Sequence, residues 1–350
     1  MSDIGGLAAR KERGKGWGVM LRATVIVATW NRRELLERVL AALGNQTLAN
    51  TEYQVVVCDS KSSDGTINVI EAAAEKYGNV YYANVSENNP AAKRNEGILR
   101  ARTDTVILVD DDVIPEPGFV EAHIRAHDAG SGVVFCGQIR YPDEWVKRSN
   151  YFRFRDLRHL GPTRRELDPK DIPFRNLVVM NLSFKRSELL PRVGYFSDEF
   201  AHCYGGEDYE FGYRIARSDL CIQYLPDAIG YHHEWGGSLR MYFHKLYISS
   251  RDTWPVIFRL MPASAHCTKW LYLEQVSADD DRRTRLIKRS IQPFISRRMA
   301  SGICQVLEYT DGFPYLFWPA AYLYVAAVAH VLGCRDREQA QKTHSDAADG

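Results

Sequence analysis

The feature that most constrains the fold is a regular alternation of apolar strand-like runs and helical segments in the first third of the chain. The runs at 23–29 (ATVIVAT) and 53–59 (YQVVVCD) are continuous and rich in β-branched residues, which is typical of strands buried on both faces. Between them, residues 32–43 (RRELLERVLAAL) place apolar side chains at helical spacing and end at Gly44. This repeat predicts right-handed crossovers and a mostly parallel sheet.

The alternation continues as far as residue 112 and sets the expected fold class. After a polar turn, helices are predicted over 66–77 and 91–102, and strands over 79–85 and 105–112. We therefore expect an α/β protein whose mostly parallel sheet is flanked by helices on both faces.

The second half of the chain is less regular. Residues 138–175 are rich in Arg, Asp and Pro and are predicted to form a long loop, while 176–186 are expected to form a strand pair or one bent strand. A double glycine permits a sharp turn before a helix that begins at Glu207, because carboxylates favour the positive end of a helix dipole. A last strand is predicted over 221–233.

Charge and cysteine content exclude several classes of protein. The chain has 45 Lys and Arg against 44 Asp and Glu, and a formal net charge of +1 gives no sign of a nucleic-acid partner. Its seven cysteines are scattered and include no C-x-x-C pair. This pattern favours reduced thiols in a cytoplasm over a disulfide framework or a zinc site.

Two segments bear on where the protein works. Residues 1–18 are charged and Gly-rich and lack an apolar core, so no secretory signal is predicted and a cytoplasmic location is expected. Residues 313–333 contain no Asp, Glu, Lys or Arg and are long enough to cross a bilayer. Pro314, Pro319 and His330 favour a buried or membrane-surface helix over a spanning one, which leaves association with the inner face of the membrane open.

Three polar clusters follow predicted strands, at 29–32, 59–64 and 110–112. Since ligands of parallel sheets bind at the carboxyl ends of the strands, the three clusters are expected to meet at one edge. Neither a G-x-G-x-x-G motif nor a P-loop follows the first strand, so a dinucleotide fold and a P-loop fold are not supported.

The three adjacent carboxylates at 110–112 raise a question of charge repulsion. In an extended segment Asp110 and Asp112 would point the same way and could bind one Mg²⁺ or Mn²⁺ that bridges substrate phosphates, while Asp111 would point elsewhere. The alternative is a solvated acidic turn.

A second acidic pair and two histidines are candidates for the same site. Glu207 and Asp208 could cap a helix, or one of them could act as a general base for a hydroxyl nucleophile. His232 and His233 could supply a metal ligand, or be interior and surface imidazoles without a catalytic role.

Taken in order, six motifs resemble those of the family 2 glycosyltransferases of the GT-A fold, over roughly residues 22–240. They are ATWNR, CDSKSSDGT, AKRNEGI, VILVDDD, GGEDYEFGYR and YHHE. The GGED segment also resembles the galactosyltransferase-type acceptor half of β-1,4-galactosyltransferases and chondroitin-polymerase-like enzymes.

The resemblance implies roles for individual residues. It implies that Asp208 is the catalytic base, with Glu207 beside it to orient the acceptor. Metal ligands are implied at Asp112, Asp110 and His232, with His233 as the alternative to His232. The implied nucleotide-binding residues are Thr29, Asn31, Arg33, Asp59, Arg94, Asp110 and Asp111. Ser60 departs from the second acidic residue usual after strand two, which puts some nucleotide contacts in doubt.

The resemblance also implies an organisation and a reaction. We expect an N-terminal tail (1–21), a GT-A domain (22–245) with a nucleotide-binding half (22–112) and an acceptor half (113–245), and a mostly helical extension (246–350). The implied reaction is inverting transfer of a hexose from a UDP-sugar such as UDP-glucose, with Mn²⁺ or Mg²⁺, to give a β-glycoside. The acceptor would be carbohydrate-like: a small metabolite such as an aminocyclitol, or a cell-surface oligosaccharide.

Three other functions compete with this one. A nucleotidyltransferase of the same fold would show a Gly-rich segment after its first strand, and ATWNRRE has none. A catalytically silent nucleotide-sugar-binding protein would not need Asp110, Asp112 and Asp208 together. A membrane-associated enzyme that builds a polysaccharide would use residues 313–333 as its contact with the membrane.

Overall fold

The computed structural model of the protein describes residues 20–158, 168, 170–234, 237–262 and 280–348. The N-terminal tail predicted at 1–21 lies almost entirely outside the described residues. The architecture is built on one eight-stranded sheet of order β3-β2-β1-β4-β7-β6-β8-β5. Its strands are β1 (Ala23–Thr29), β2 (Tyr53–Asp59), β3 (Val80–Asn84), β4 (Thr105–Asp110), β5 (Val113–Pro115), β6 (Val133–Arg140), β7 (Asn181–Lys185) and β8 (Cys221–His232).

Strands β1 to β4 form the parallel part of the sheet, and their register brings polar strand ends together. Thr29 is the partner of Asp59 across β1 and β2, and Ala28 is the partner of Asp110 across β1 and β4. Because β1, β2 and β4 are buried along almost their whole length, their apolar runs fix the register. The polar residues that follow the strands therefore emerge at one edge.

The rest of the sheet brings the C-terminal part of the domain to the same edge. Strand β7 runs antiparallel to both β4 and β6, and β6 is parallel to β8. The short strand β5 pairs antiparallel with β8, so that Val113 lies opposite His232. This pairing carries the end of β8 next to the acidic turn.

Helices flank the sheet, as predicted from the first half of the sequence, and the mixed, mostly parallel α/β architecture is confirmed. The helices before β8 are α1 (Arg33–Gly44), α2 (Thr66–Tyr77), α3 (Pro90–Arg100), α4 (Phe119–Ala129), α5 (Asp143–Arg148), α6 (Asn150–Arg158), α7 (Arg186–Val193) and α8 (Glu207–Ala216). Those after it are α9 (Leu239–Ile248), α10 (Trp254–Leu260), α11 (Arg282–Ile291), α12 (Arg297–Tyr309) and α13 (Pro319–Ala348).

The prediction of a long loop over 138–175 is wrong for its first part, which completes β6 and forms α5 and α6. Contacts with the distant C-terminal region stabilise these short helices. The Asn150 side chain donates to the carbonyl oxygens of Thr310 and Phe313, and Phe154 stacks on Tyr322 with ring centroids 5.0 Å apart. Such non-local packing leaves no periodic signal in the local sequence.

Two further expectations need correction. Over 176–186 only Asn181–Lys185 is a strand, because Phe174–Asn176 forms a short 3₁₀ helix and α7 begins at Arg186. The segment 105–112 is not extended to its end: β4 stops at Asp110, and residues 111–112 form a turn into β5.

The apolar segment 313–333 is divided between surface and core. Residues 313–320 are mostly exposed, whereas α13 buries Tyr322 and Val325 in a cluster with α12 and α6. Among the helices that the structure describes, none is both long and apolar enough to cross a membrane.

A buried polar cluster under the sheet joins α4 to β7. His123 contacts Ser183 Oγ at 2.8 Å through Nδ1 and Asn181 Oδ1 at 2.9 Å through Nε2, and His127 Nε2 lies 2.9 Å from Ser183 Oγ. Burial lowers the pKa of His123 to about 3 and that of His127 to about 4. Both imidazoles are therefore neutral in the folded protein.

This cluster should make the protein less stable in acid. The folded pKa values lie below the unfolded value, so the stabilisation is complete above about pH 6.5 and is lost as the pH falls through that value. Each histidine should lower the free energy of unfolding by about 2 kcal/mol between about pH 8 and pH 5. Urea unfolding of His127→Gln should lose less stability over this range than wild type. The assignment would be contradicted if the free energy of unfolding of His127→Gln fell with pH as steeply as that of wild type. It would also be contradicted if the exposed His202→Gln altered this pH dependence equally.

Candidate active site

The loops after β1 and β2 are connected by hydrogen bonds at the carboxyl edge of the sheet. The Asn31 backbone N–H donates to Ser62 Oγ at 2.7 Å, and the Ser63 N–H donates back to Asn31 Oδ1 at 2.8 Å. Asn31 has a left-handed backbone with φ of 50°, which asparagine tolerates better than most residues. The two loops thus form one preorganised wall of the site.

Asp59 ends β2 as a fully buried carboxylate within this wall. It accepts hydrogen bonds from both the N–H (3.0 Å) and the hydroxyl of Ser62, which fix its orientation. Ser60, the residue that departs from the family pattern, turns its hydroxyl to the Glu87 carbonyl at 2.7 Å. Ser60 therefore supports the loop after β3.

Arg94 on α3 joins the two halves of the site. Its guanidinium donates to Asp110 Oδ1 at 2.9 Å and to Glu207 Oε1 at 2.8 Å, and all three groups are mostly shielded from solvent. The Phe196 ring covers the guanidinium, with the ring centroid 5.7 Å from Cζ. A buried arginine with two carboxylate partners orients both of them, because its planar donors are geometrically fixed.

The three consecutive aspartates have different partners. Asp110 faces Arg94, while Asp111 Oδ2 accepts from Thr29 Oγ1 at 2.7 Å. Burial and the neighbouring Asp112 carboxylate raise the pKa of Asp111 to about 7. Burial raises the pKa of Asp110 despite Arg94. For Asp112 the effect of burial is outweighed by His232 and Arg32, so its pKa is lowered and it remains ionised.

His232 is the histidine that lies beside the acidic turn. Its Nε2 is 3.6 Å from Asp112 Oδ2, and Arg32 approaches the same oxygen at 3.5 Å. His233 donates its backbone N–H to the Asp112 carbonyl at 2.7 Å, but its ring packs against Trp145 with centroids 5.0 Å apart. Successive side chains at a strand end face opposite ways, which explains the division.

The donor atoms near Asp112 are compatible with a divalent cation. Two ligand atoms bound to one ion at about 2.1 Å lie roughly 3 Å apart, close to the Asp112–His232 spacing. Within the described ranges no group of three or more His, Cys, Asp or Glu side chains is arranged to hold a metal. Asp110, turned to Arg94, does not complete such a set. Mg²⁺ sites of this kind obtain their remaining ligands from substrate phosphates and water.

Asp208 is in the first turn of α8, which begins at Glu207 as predicted. Its neighbour Glu207 takes the Arg94 contact, and Asp208 Oδ1 accepts from the Tyr209 N–H at 2.8 Å. Burial and the Glu207 carboxylate raise the pKa of Asp208 to about 7. A partly buried carboxylate with such a pKa can take a proton near neutral pH.

The structure does not place Arg33 with the other predicted nucleotide-binding residues. The Arg33 side chain lines a groove between α1 and α2, while its backbone N–H donates to Asp64 at 3.0 Å. Arg32, one residue earlier, is the arginine that approaches Asp112. Arg214, the arginine of the GGEDYEFGYR motif, pairs with Glu210 and donates to the Tyr195 carbonyl at 2.9 Å, so it stabilises α8.

Two features of the site were missed in the sequence. Lys93 is buried beside Arg94 and donates to Asn88 Oδ1 at 2.8 Å; burial lowers its pKa to about 8. Glu234, the last residue of YHHE, accepts from Arg155 and Lys245, each at 3.0 Å, which fixes the chain after His232. Lys93 lies in the motif AKRNEGI and Glu234 in the motif YHHE, and membership of these motifs is the one sequence signal that could have identified them.

Comparisons with known proteins bear on the family and the fold. The family model for glycosyl transferase family 2 matches residues 24–187. A chondroitin synthase of Pasteurella multocida (strain Pm70) is 26% identical over 64% of this chain and 26% of its own length. A validoxylamine A glucosyltransferase of Streptomyces hygroscopicus subsp. jinggangensis is 27% identical over 55% of this chain and 50% of its own length. The match therefore spans half or less of each of these two relatives.

A solved structure supports the fold. It is the mannosyltransferase PcManGT from Pyrobaculum calidifontis in complex with GDP-Man and Mn²⁺, with a TM-score of 0.56 and 20% identity, covering 89% of this chain and 86% of that one. At this identity the likeness concerns the GT-A architecture alone. The family model, the sequence relatives and the sheet order agree that residues 24–187 resemble glycosyl transferase family 2.

Proposed function

We propose that the protein is an inverting, metal-dependent glycosyltransferase that moves a hexose from a UDP-sugar to a hydroxyl of a carbohydrate-like acceptor, giving a β-glycoside. The contact that carries this proposal is the Arg94 bridge between Asp110 and Glu207, at 2.9 and 2.8 Å. It joins the carboxyl edge of β4, where a nucleotide would bind, to the start of α8, where a base would stand. A site for donor and acceptor together needs this proximity.

The nucleotide would bind against the wall formed after β1 and β2. Thr29, Asn31 and Asp59 border this wall, and the left-handed turn at Asn31 shapes the loop beside it. Asp59 is the candidate for reading the uracil or ribose, since its carboxylate is fixed by Ser62. Arg32 and Lys93 would supply positive charge toward the diphosphate.

Asp112 and His232 are the proposed metal ligands of the chain, with Asp110 nearby. Bound there with the diphosphate, Mn²⁺ or Mg²⁺ would supply positive charge that offsets the negative charge developing on the leaving group. Asp112 is already ionised next to His232 and Arg32, so its carboxylate is available to bind a cation. The shared cation also accounts for three adjacent carboxylates in one turn.

Asp208 is the proposed general base. It would remove the proton of the acceptor hydroxyl as the oxygen attacks the anomeric carbon from the face opposite the diphosphate. Glu207 cannot readily share this role, because Arg94 engages its carboxylate. One in-line displacement inverts the anomeric centre, so an α-linked donor would give a β-linked product.

The acceptor class is proposed from the relatives. Their names describe a polysaccharide synthase and a glucosyltransferase acting on validoxylamine A. Either a cell-surface oligosaccharide or a small metabolite such as an aminocyclitol would offer the required hydroxyl. Among donors, UDP-glucose is the first to test.

The donor and the metal can be tested in one experiment. UDP release should be measured from a panel of UDP-sugars with Mn²⁺, with Mg²⁺ and with chelator, using wild type and Asp112→Ala. Wild type should slowly hydrolyse one donor only with metal, and Asp112→Ala should reduce this about a hundredfold or more, since a ligand of the leaving-group cation is lost.

The matched control is Asp227→Ala, because Asp227 is an exposed aspartate that pairs with Arg125 away from the site. Equal release with chelator and with metal would contradict metal dependence. Absence of turnover of every donor, with tight binding of UDP, would favour the silent nucleotide-sugar-binding protein instead.

A further inference from the structure

Exposed apolar side chains are concentrated in one short stretch of the chain. Among the described residues, half of all exposed large apolar side chains lie within 286–318. The most exposed are Tyr309 (84%), Tyr315 (80%), Leu286 (68%), Trp318 (66%) and Val306 (62%). Single exposed apolar residues are ordinary, but a contiguous set marks an interaction surface.

Helix α12 is apolar on two faces. Its inner face buries Ala300, Cys304 and Leu307, and the last two pack in the cluster that also contains Tyr322 of α13. The helix is therefore already anchored without its outer face. The outer face carries a second apolar stripe at helical spacing, formed by Met299, Val306 and Tyr309.

The turn after α12 presents its apolar side chains from a fixed backbone. Asn150 donates to the Phe313 carbonyl at 2.9 Å, and Arg153 donates to the Pro314 carbonyl at 3.1 Å. Phe313, Tyr315, Leu316 and Trp318 nevertheless remain exposed. Hydrogen bonds therefore fix the backbone of the turn, while its aromatic side chains are exposed to solvent.

Strong positive charge adjoins this apolar surface. Residues 282–298 contain seven Arg or Lys and no Asp or Glu, and two of the seven are paired, buried Lys288 with Asp280 and Arg297 with Asp336. Arg282, Arg283, Arg289 and Arg298 are exposed. Arg298 immediately precedes the apolar stripe of α12. This helix is roughly 20 Å long from its basic start to its aromatic end.

We propose that α11, α12 and the following turn, residues 282–318, form a docking surface for an anionic lipid bilayer. Arginines attract acidic head groups, while Trp and Tyr side chains fill the boundary between head groups and acyl chains. The core of an interface with a protein is instead depleted in charge. The surface includes residues 313–318 of the apolar segment 313–333, whereas Ala321, Tyr322 and Val325 of α13 pack in the core.

Vesicle co-sedimentation of the full chain tests the proposal without any sugar donor. Wild type should pellet with vesicles of phosphatidylglycerol and phosphatidylcholine in equal parts, about tenfold more tightly than with pure phosphatidylcholine, and less at high salt. Tyr315→Ser/Trp318→Ser should weaken binding about tenfold. Arg282→Gln/Arg283→Gln should weaken it about fivefold per arginine. Leu99→Ser, at an exposed leucine on α3, should bind as wild type does.

Each alternative outcome overturns the proposal. Absence of pelleting with anionic vesicles excludes the membrane contact, and equal loss in Leu99→Ser makes it nonspecific. If the arginine variant alone loses binding while Tyr315→Ser/Trp318→Ser does not, the surface recognises a soluble polyanion through charge. Donor hydrolysis without vesicles should be unchanged in these variants, so failure here is distinguishable from failure of the proposed function.

Discussion

Asp208→Asn should reduce sugar transfer about a thousandfold and leave binding of the nucleotide unchanged. The amide keeps the shape of the side chain at the start of α8 but cannot take a proton from the acceptor. In wild type, the Asp208 pKa of about 7 means that kcat/KM should fall as the pH drops below about 7, because the base becomes protonated. The measurement is the pH profile of transfer, with UDP binding measured by calorimetry.

The control for this substitution is Asp227→Asn, at an exposed aspartate of β8 that pairs with Arg125. It should retain wild-type transfer at every pH. If Asp208→Asn retained the acidic limb of the profile, the titrating group would be another residue, with Asp111 the next candidate since its pKa is also raised to about 7. If Asp208→Asn lost UDP binding as well, the residue would have a role in the fold of the site instead.

The polar carboxyl edge of the sheet could be predicted because local sequence specifies it. β-Branched runs such as 23–29 and 53–59 are strands in almost any surroundings, and parallel pairing then aligns their polar ends. The carboxyl edge where Thr29 and Asp59 meet follows from these facts alone. The same reasoning found the helix that begins at Glu207, because a carboxylate pair after two glycines is a local signal.

The contacts that complete the site are non-local and could not be predicted. Arg94 reaches Glu207 across 113 residues, and Arg155 reaches Glu234 across 79. No periodicity or propensity encodes which buried arginine meets which carboxylate. The turn at residues 111–112 has the same origin: β5 pairs with β8, the extended segment ends at Asp110, and Asp112 lies in the turn.

Arg94→Met should be the most destabilising substitution in the site. It removes the positive charge between two buried carboxylates, and breaking such a pair costs about 3–5 kcal/mol of unfolding free energy. Methionine retains much of the aliphatic volume beside Phe196, so the loss reports charge and hydrogen bonds more than packing. Urea unfolding is the measurement, with Arg125→Met at an exposed ion pair as the control that should change little.

Arg94 should affect stability through Glu207 and activity through the neighbouring Asp208. Adding Glu207→Gln to Arg94→Met should recover part of the lost stability, because one of the stranded charges is removed. Arg94 lowers the pKa of Asp208, so residual activity in Arg94→Met should have its acidic limb moved to higher pH. If Arg94→Met were as stable as Arg125→Met, or if the acidic limb of its pH profile did not move, Arg94 would not couple the carboxyl edge of the sheet to the base. The coupling would then require the bound substrate.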